Sequence, residues 1–130
     1  MDEQHKIILQ KRIAKAENLV KTAKAVFAVG DYDSTVNRTY YAIFHAMRAV
    51  LVLDDVDFSK HSGVISYFRQ HYVKTGLFPL ECSQIIGDAK DYRESSDYED
   101  FVIIEREIAE EQIRSAERFL EITEKYLAGF

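Results

Sequence analysis

Cysteine and proline each occur once in the 130 residues, tryptophan is absent, and glycine occurs only five times. The one thiol, Cys82, can neither close an intrachain disulfide nor supply half of a paired-cysteine zinc motif, and it reads as a small buried hydrophobe. So few prolines and glycines leave out the frequent turns that an all-β domain needs. No apolar run approaches the ~20 residues that span a bilayer. Met1-Asp2-Glu3-Gln4 has neither the basic start nor the greasy stretch of a secretory leader, so the expectation is a cytoplasmic protein with no membrane partner. Excess positive charge is also missing. The 22 acidic and 17 basic side chains leave a net charge of −5, which argues against a protein that coats nucleic acid through overall charge.

What is present is enough apolar material, 47% with 12% aromatics, to fill one core, and residues 1–130 read as a single domain. Charge is unevenly spread. Residues 1–53 carry eight basic and five acidic side chains, whereas residues 76–130 carry six basic and fourteen acidic ones. The second excess reads first as a solvated acidic face, and the N-terminal half is the more suited to facing phosphate.

Apolar periodicity predicts an all-α fold. Leu9, Ile13, Ala16, Leu19, Val20, Ala23, Val26 and Phe27 recur at three- and four-residue steps and define a first amphipathic helix that ends before Gly30. Asp33 or Ser34 is placed to cap a second helix running to about Leu53. From Tyr40 to Val52 that helix is nearly apolar all round, interrupted chiefly by His45 and Arg48, which puts it at the centre of a bundle or in a subunit interface. Asp54-Asp55-Val56-Asp57 breaks it, and Ser59 is placed to cap a third helix that Gly76 closes. A fourth helix, carrying Leu80, Ile85, Ile86 and Ala89, follows Pro79 and should end near Ser95-Ser96. The apolar stripe of the last helix starts at Ile104 and reaches Leu127.

Chemistry centres on the second helix. Arg38 and His45 are seven residues apart, about two helical turns, and so share one face. An unpaired buried charge costs several kcal/mol, roughly, so the pair needs partners or a cleft. One reading is a core histidine beside a structural arginine. The other is phosphodiester chemistry, with a guanidinium stabilising the anionic transition state and an imidazole moving the proton. Lys60, His61, Arg69, His71 and Lys74 cluster on or beside the third helix and could form a rim for an RNA backbone. Tyr40 and Tyr41 read as packing anchors, with base stacking as the minority alternative. Arg93 and Asp97, four apart, suggest a local ion pair with Tyr98 packed nearby, or a further phosphate contact.

The segment from Asn37 to Ala46, NRTYYAIFHA, resembles the signature of HEPN (higher eukaryotes and prokaryotes nucleotide-binding) domains, an arginine followed by a histidine with six residues between them here. Ser59 through Ile65, Phe68 through Gly76, and Arg93 through Tyr98 are similar to blocks of a small, stand-alone prokaryotic branch of that family, and the likeness spans roughly residues 6–127. The resemblance implies a five-helix up-and-down bundle forming a symmetric homodimer in which two Arg-His faces line one cleft. It further implies a metal-independent endoribonuclease without a cofactor, the toxin half of a pair with a minimal nucleotidyltransferase antitoxin. Arg38 and His45 would be its catalytic residues, and Lys60, His61, Tyr41 and Arg93 its RNA or nucleotide contacts. The alternative is a non-catalytic nucleotide-binding or adaptor module docking onto the nucleotidyltransferase. Thr39 stands where active members often carry Asn, Asp or His, and Met47 where some toxins carry a tyrosine that receives AMP.

Overall fold

A computed structural model describes residues 1–98 and 103–130, leaving out the side chain of Tyr98. The packing expected of Tyr98 therefore lies outside the described residues. Five α-helices and no strand occur among them: α1 (Glu3–Ala28), α2 (Tyr32–Leu51), α3 (His61–Phe68), α4 (Glu81–Tyr98) and α5 (Arg106–Leu127). Among the described residues no helix is long and apolar enough to cross a membrane.

The helix ends follow backbone geometry more closely than residue type. Gly30 closes the first helix with φ +83°, a left-handed value that glycine adopts without a Cβ penalty. Asp31, rather than Asp33 or Ser34, caps α2. Its carboxylate accepts from the Ser34 amide at 3.1 Å and the Ser34 hydroxyl at 2.6 Å, because only the residue just outside the first turn reaches those free donors. A 3-10 turn at Val52–Asp54 and a left-handed Asp55, φ 55°, then break the helix at the acidic segment. Ser59 is one residue too early to cap α3. Lys60 holds that position in extended conformation and offers no side-chain hydrogen bond.

The third helix continues as a π-helical turn over Arg69–Val73, and Gly76, φ +82°, completes the reversal. Leu80 lies in the turn ahead of α4 and is 81% exposed, so it is not a core residue as the sequence suggested. The fourth helix runs past Ser95-Ser96 to Tyr98. Ile104 is buried but precedes α5, packing with Val36 and Ala109.

Helix α2 lies at the centre of the bundle, touching α1, α3, α4 and α5. From Thr39 to Val52 only Tyr41 and Arg48 are not buried, as its continuous apolar run predicts. At one end of the core, the rings of Phe68, Phe78, Phe119 and Tyr126 interlock, with Phe68–Phe78 and Phe78–Tyr126 centroids both 4.9 Å apart. There the Tyr72 and Tyr67 hydroxyls donate to Asp54 at 2.7 and 3.1 Å. Burial, then the bond to Asp54, pushes the Tyr72 phenol well above its ordinary pKa.

Candidate functional site

The least buried stripe of α2 is where its polar residues collect. Arg38, Tyr41, His45 and Arg48 recur at three- and four-residue steps, so helical pitch aligns them on one face. Arg38 is half-buried and makes no hydrogen bond or ion pair among the described residues. His45 is 9% exposed, and its Nδ1 is buried without a partner. Among the described residues Nε2 also makes no hydrogen bond, but it is not sealed from solvent. Burial, reinforced by the charges of Lys15, Arg48 and Arg12, lowers the His45 pKa to about 4, so the ring is neutral at pH 7.

A second histidine faces this stripe from α3. The ring of His61 lies 4.2 Å from that of Phe44, and Phe44 in turn lies 5.5 Å from His45. Tyr41 packs against both, at 5.7 Å from His61 and 6.4 Å from His45. Nδ1 of His61 is 3.0 Å from the Tyr40 hydroxyl. Burial raises the pKa of that hydroxyl to about 12, and burial together with the nearby Arg93 and Arg48 charges lowers that of His61. Tyr40 itself is 2% exposed, which makes it the packing anchor expected and leaves Tyr41 as the aromatic residue available to a ligand.

From α4, the Arg93 guanidinium lies over both tyrosines, 5.0 Å from the Tyr40 ring centre and 5.5 Å from that of Tyr41. The expected ion pair to Asp97 is present at 3.3 Å, yet Nε of Arg93 lacks a well-aligned acceptor. Lys60 stands exposed beside His61. The structure thus brings Tyr41, His45, His61 and Arg93 together, with Arg38 two turns along the same face.

The wider rim anticipated on the third helix is divided. Arg69 donates to the Ser83 carbonyl at 3.0 Å and packs on α4, while His71 stacks on Tyr67 at 4.1 Å. In their place stand cations from the other side of the stripe. Arg12 of α1 donates to the Arg48 carbonyl at 2.9 Å, and both arginines reach Asp57, Arg48 at 2.8 Å and Arg12 at 3.3 Å. The pitch of α2 could have singled out Arg48, three residues beyond His45. Nothing local could have indicated Arg12 or Lys15, which come from another helix.

Two departures from the family pattern also gain a physical setting. Thr39 is fully buried and donates to the Val36 carbonyl at 3.2 Å, so it faces the core rather than the stripe. Met47 is likewise fully buried. Among the described residues, no group of three His, Cys, Asp or Glu side chains is disposed to hold a metal ion.

The sequence profile of the HEPN domain matches residues 9–126. A protein of Methanocaldococcus jannaschii named "Putative toxin MJ0142" is 33% identical over 127 residues, covering 98% of this chain and 86% of its own. A "UPF0332 protein" of Thermotoga maritima is 36% identical over 127 residues, covering 98% of this chain and 96% of its own. Another "UPF0332 protein", from Archaeoglobus fulgidus, is 35% identical over 113 residues, covering 87% and 90%. With the Arg-His motif on its central helix and a match over nearly its whole length, the chain belongs to the HEPN domain family.

Proposed function

We infer that this chain is an endoribonuclease of the toxin type, cutting RNA by attack of the ribose 2′-hydroxyl without a metal. The observation that carries this reading is the unsatisfied state of the α2 stripe. A guanidinium with no hydrogen bond or ion pair among the described residues and a neutral imidazole with an unpartnered nitrogen share one face, which is costly for stability and useful for phosphoryl chemistry. Arg38 stabilises the phosphorane charge, and neutral His45 serves as a base. Tyr41, His61, Lys60 and Arg93 hold the flanking nucleotides. Two copies related by a two-fold axis set their α2 stripes along one cleft, covering the least buried face of an otherwise enclosed helix. The toxin names of relatives support a neutralising partner, which we take to be a minimal nucleotidyltransferase. Because Met47 is sealed in the core, such a partner acts by covering the stripe and not by modifying position 47.

The test is incubation of purified protein with pooled RNA in excess chelator. Wild type should cut and leave 2′,3′-cyclic phosphate ends, whereas Arg38→Ala and His45→Ala should each lose about 100-fold or more. Binding of RNA or nucleotide without cleavage would replace this reading with the non-catalytic one. Since kcat/KM reports free-enzyme ionisation, its acid limb should lie below the ordinary imidazole value of 6.5, because His45 remains deprotonated down to about pH 4.

A further inference from the structure

Cleavage by a 2′-hydroxyl moves two protons: one leaves O2′ as it attacks phosphorus, and another must reach O5′ as the P–O5′ bond breaks. One His45 can fill only one of these posts in a given step, and the His45 of a second copy, with the same sealed Nδ1, suits the same post. Resting on the ribonuclease reading, we propose that His61 fills the other, as a catalytic acid from the same chain that protonates the O5′ leaving group while His45 takes the proton from O2′.

Three observations separate the two histidines in this way. First, both stand against one ring, Phe44, at 4.2 Å for His61 and 5.5 Å for His45, with Tyr41 packed against both. A phosphate seated over Tyr41 would have both imidazoles close by. Second, their Nδ1 atoms differ. That of His45 is buried with no partner, so the Nδ1–H that the ring carries while Nε2 is free to take a proton has no acceptor to stabilise the charged form, which suits a ring that starts neutral. That of His61 meets the Tyr40 hydroxyl at 3.0 Å, and a hydroxyl can accept as well as donate, so the bond survives protonation of the ring. Third, neither Nε2 has a partner among the described residues and neither is sealed from solvent, so both remain available to substrate.

In the step itself, O2′ bonds to phosphorus as its proton passes to Nε2 of His45. The P–O5′ bond breaks with its electron pair on O5′, which takes the proton from Nε2 of imidazolium His61. The products are a 2′,3′-cyclic phosphate and a 5′-hydroxyl, and the two rings regain their starting protonation from water. Tyr40 is a positioning residue: it fixes the His61 ring and accepts its Nδ1 proton. Burial and the charges of Arg93 from α4 and Arg48 from α2 oppose protonation of His61 until an anionic phosphate is bound, and its exposed neighbour Lys60 adds a further cation beside it.

A leaving group that needs no acid tests this directly. RNA oligonucleotides with the natural linkage and with sulfur replacing the bridging 5′-oxygen would be given to full-length wild type, His61→Ala, His61→Gln, His45→Ala and Tyr40→Phe. Both His61 variants should lose about 100-fold or more on the natural linkage yet stay within about threefold of wild type on the sulfur linkage, since a thiolate leaves unprotonated. His45→Ala should be impaired on both. Tyr40→Phe, which keeps the buried ring, should shift the basic limb of the natural-linkage pH profile to lower pH, because the imidazolium loses its acceptor while Arg93, Arg48 and Lys60 are unchanged. Equal losses on the two linkages, or no loss on either, would overturn the assignment to His61 and leave the ribonuclease reading intact. A wild type that cuts neither substrate would remove both.

Discussion

Two aromatic clusters occupy this bundle, and they differ in one respect that bears on function. Around Phe68, Phe78, Phe119 and Tyr126, the Tyr67 and Tyr72 hydroxyls both find Asp54, and none of these side chains has a buried polar atom without a partner. Around Tyr40, Tyr41 and Phe44, His45 has a buried nitrogen with no partner, Arg93 has Nε without an aligned acceptor, and Arg38 is unpaired among the described residues. Buried tyrosines beside charge are common to both regions. What distinguishes a candidate site from a core is whether the polar atoms are satisfied within the chain.

If the first cluster is purely structural, truncating it should act on stability alone. Phe119→Ala removes a fully buried ring from its centre and should cost about 3–5 kcal/mol in urea unfolding. In the second cluster, stability and chemistry should separate. Replacing His45 with leucine removes an unsatisfied polar atom from an apolar setting, so cleavage should vanish while the unfolding midpoint holds or rises. A midpoint falling as far as that of Phe119→Ala would erase the distinction between the clusters.

Protonation gives an intermediate effect. The His45 pKa is about 4 when folded against 6.5 unfolded, so the unfolded chain binds more protons between those values. The stabilisation is complete above pH 6.5 and is lost as pH falls towards 4. Comparing pH-dependent unfolding of wild type and His45→Gln should isolate about 3 kcal/mol. The smallest change belongs to the satisfied cluster. Tyr72→Phe removes one of two hydroxyls on Asp54 and keeps the ring, and should cost about 1 kcal/mol by denaturant titration.

Much of this contrast lies beyond what a linear pattern encodes. The run from Tyr40 to Val52 made the central helix legible, and helical pitch alone put Arg38 and His45 on one face. Gly30 and Gly76 marked chain reversals because the left-handed backbone they adopt suits few other residues. The caps were misread by one to three residues, since Asp31, Asp33, Ser34 and Ser59 are all chemically able to cap and only backbone position selects among them. The site's detail depends on tertiary proximity. His61 meets Tyr40 across 21 positions, and Arg93 reaches the tyrosines from α4, so no period along the chain announces either contact.

The brevity of α3 has a consequence for when the site exists at all. His61 is the first residue of α3, eight α-helical residues that continue only as a five-residue π-helical turn, whereas His45 sits within the 20-residue α2. Helices this short draw nearly all their stability from docking, and they open in partial unfolding events that leave a core intact. Amide hydrogens in α3 should therefore exchange by a lower-energy opening than those of α2. Each such event would carry one imidazole away from the other while the bundle stayed folded. Whatever binds across Tyr41 and His61 would hold that helix closed, so ligand occupancy should be readable as slowed exchange in α3 even where no bond is cut.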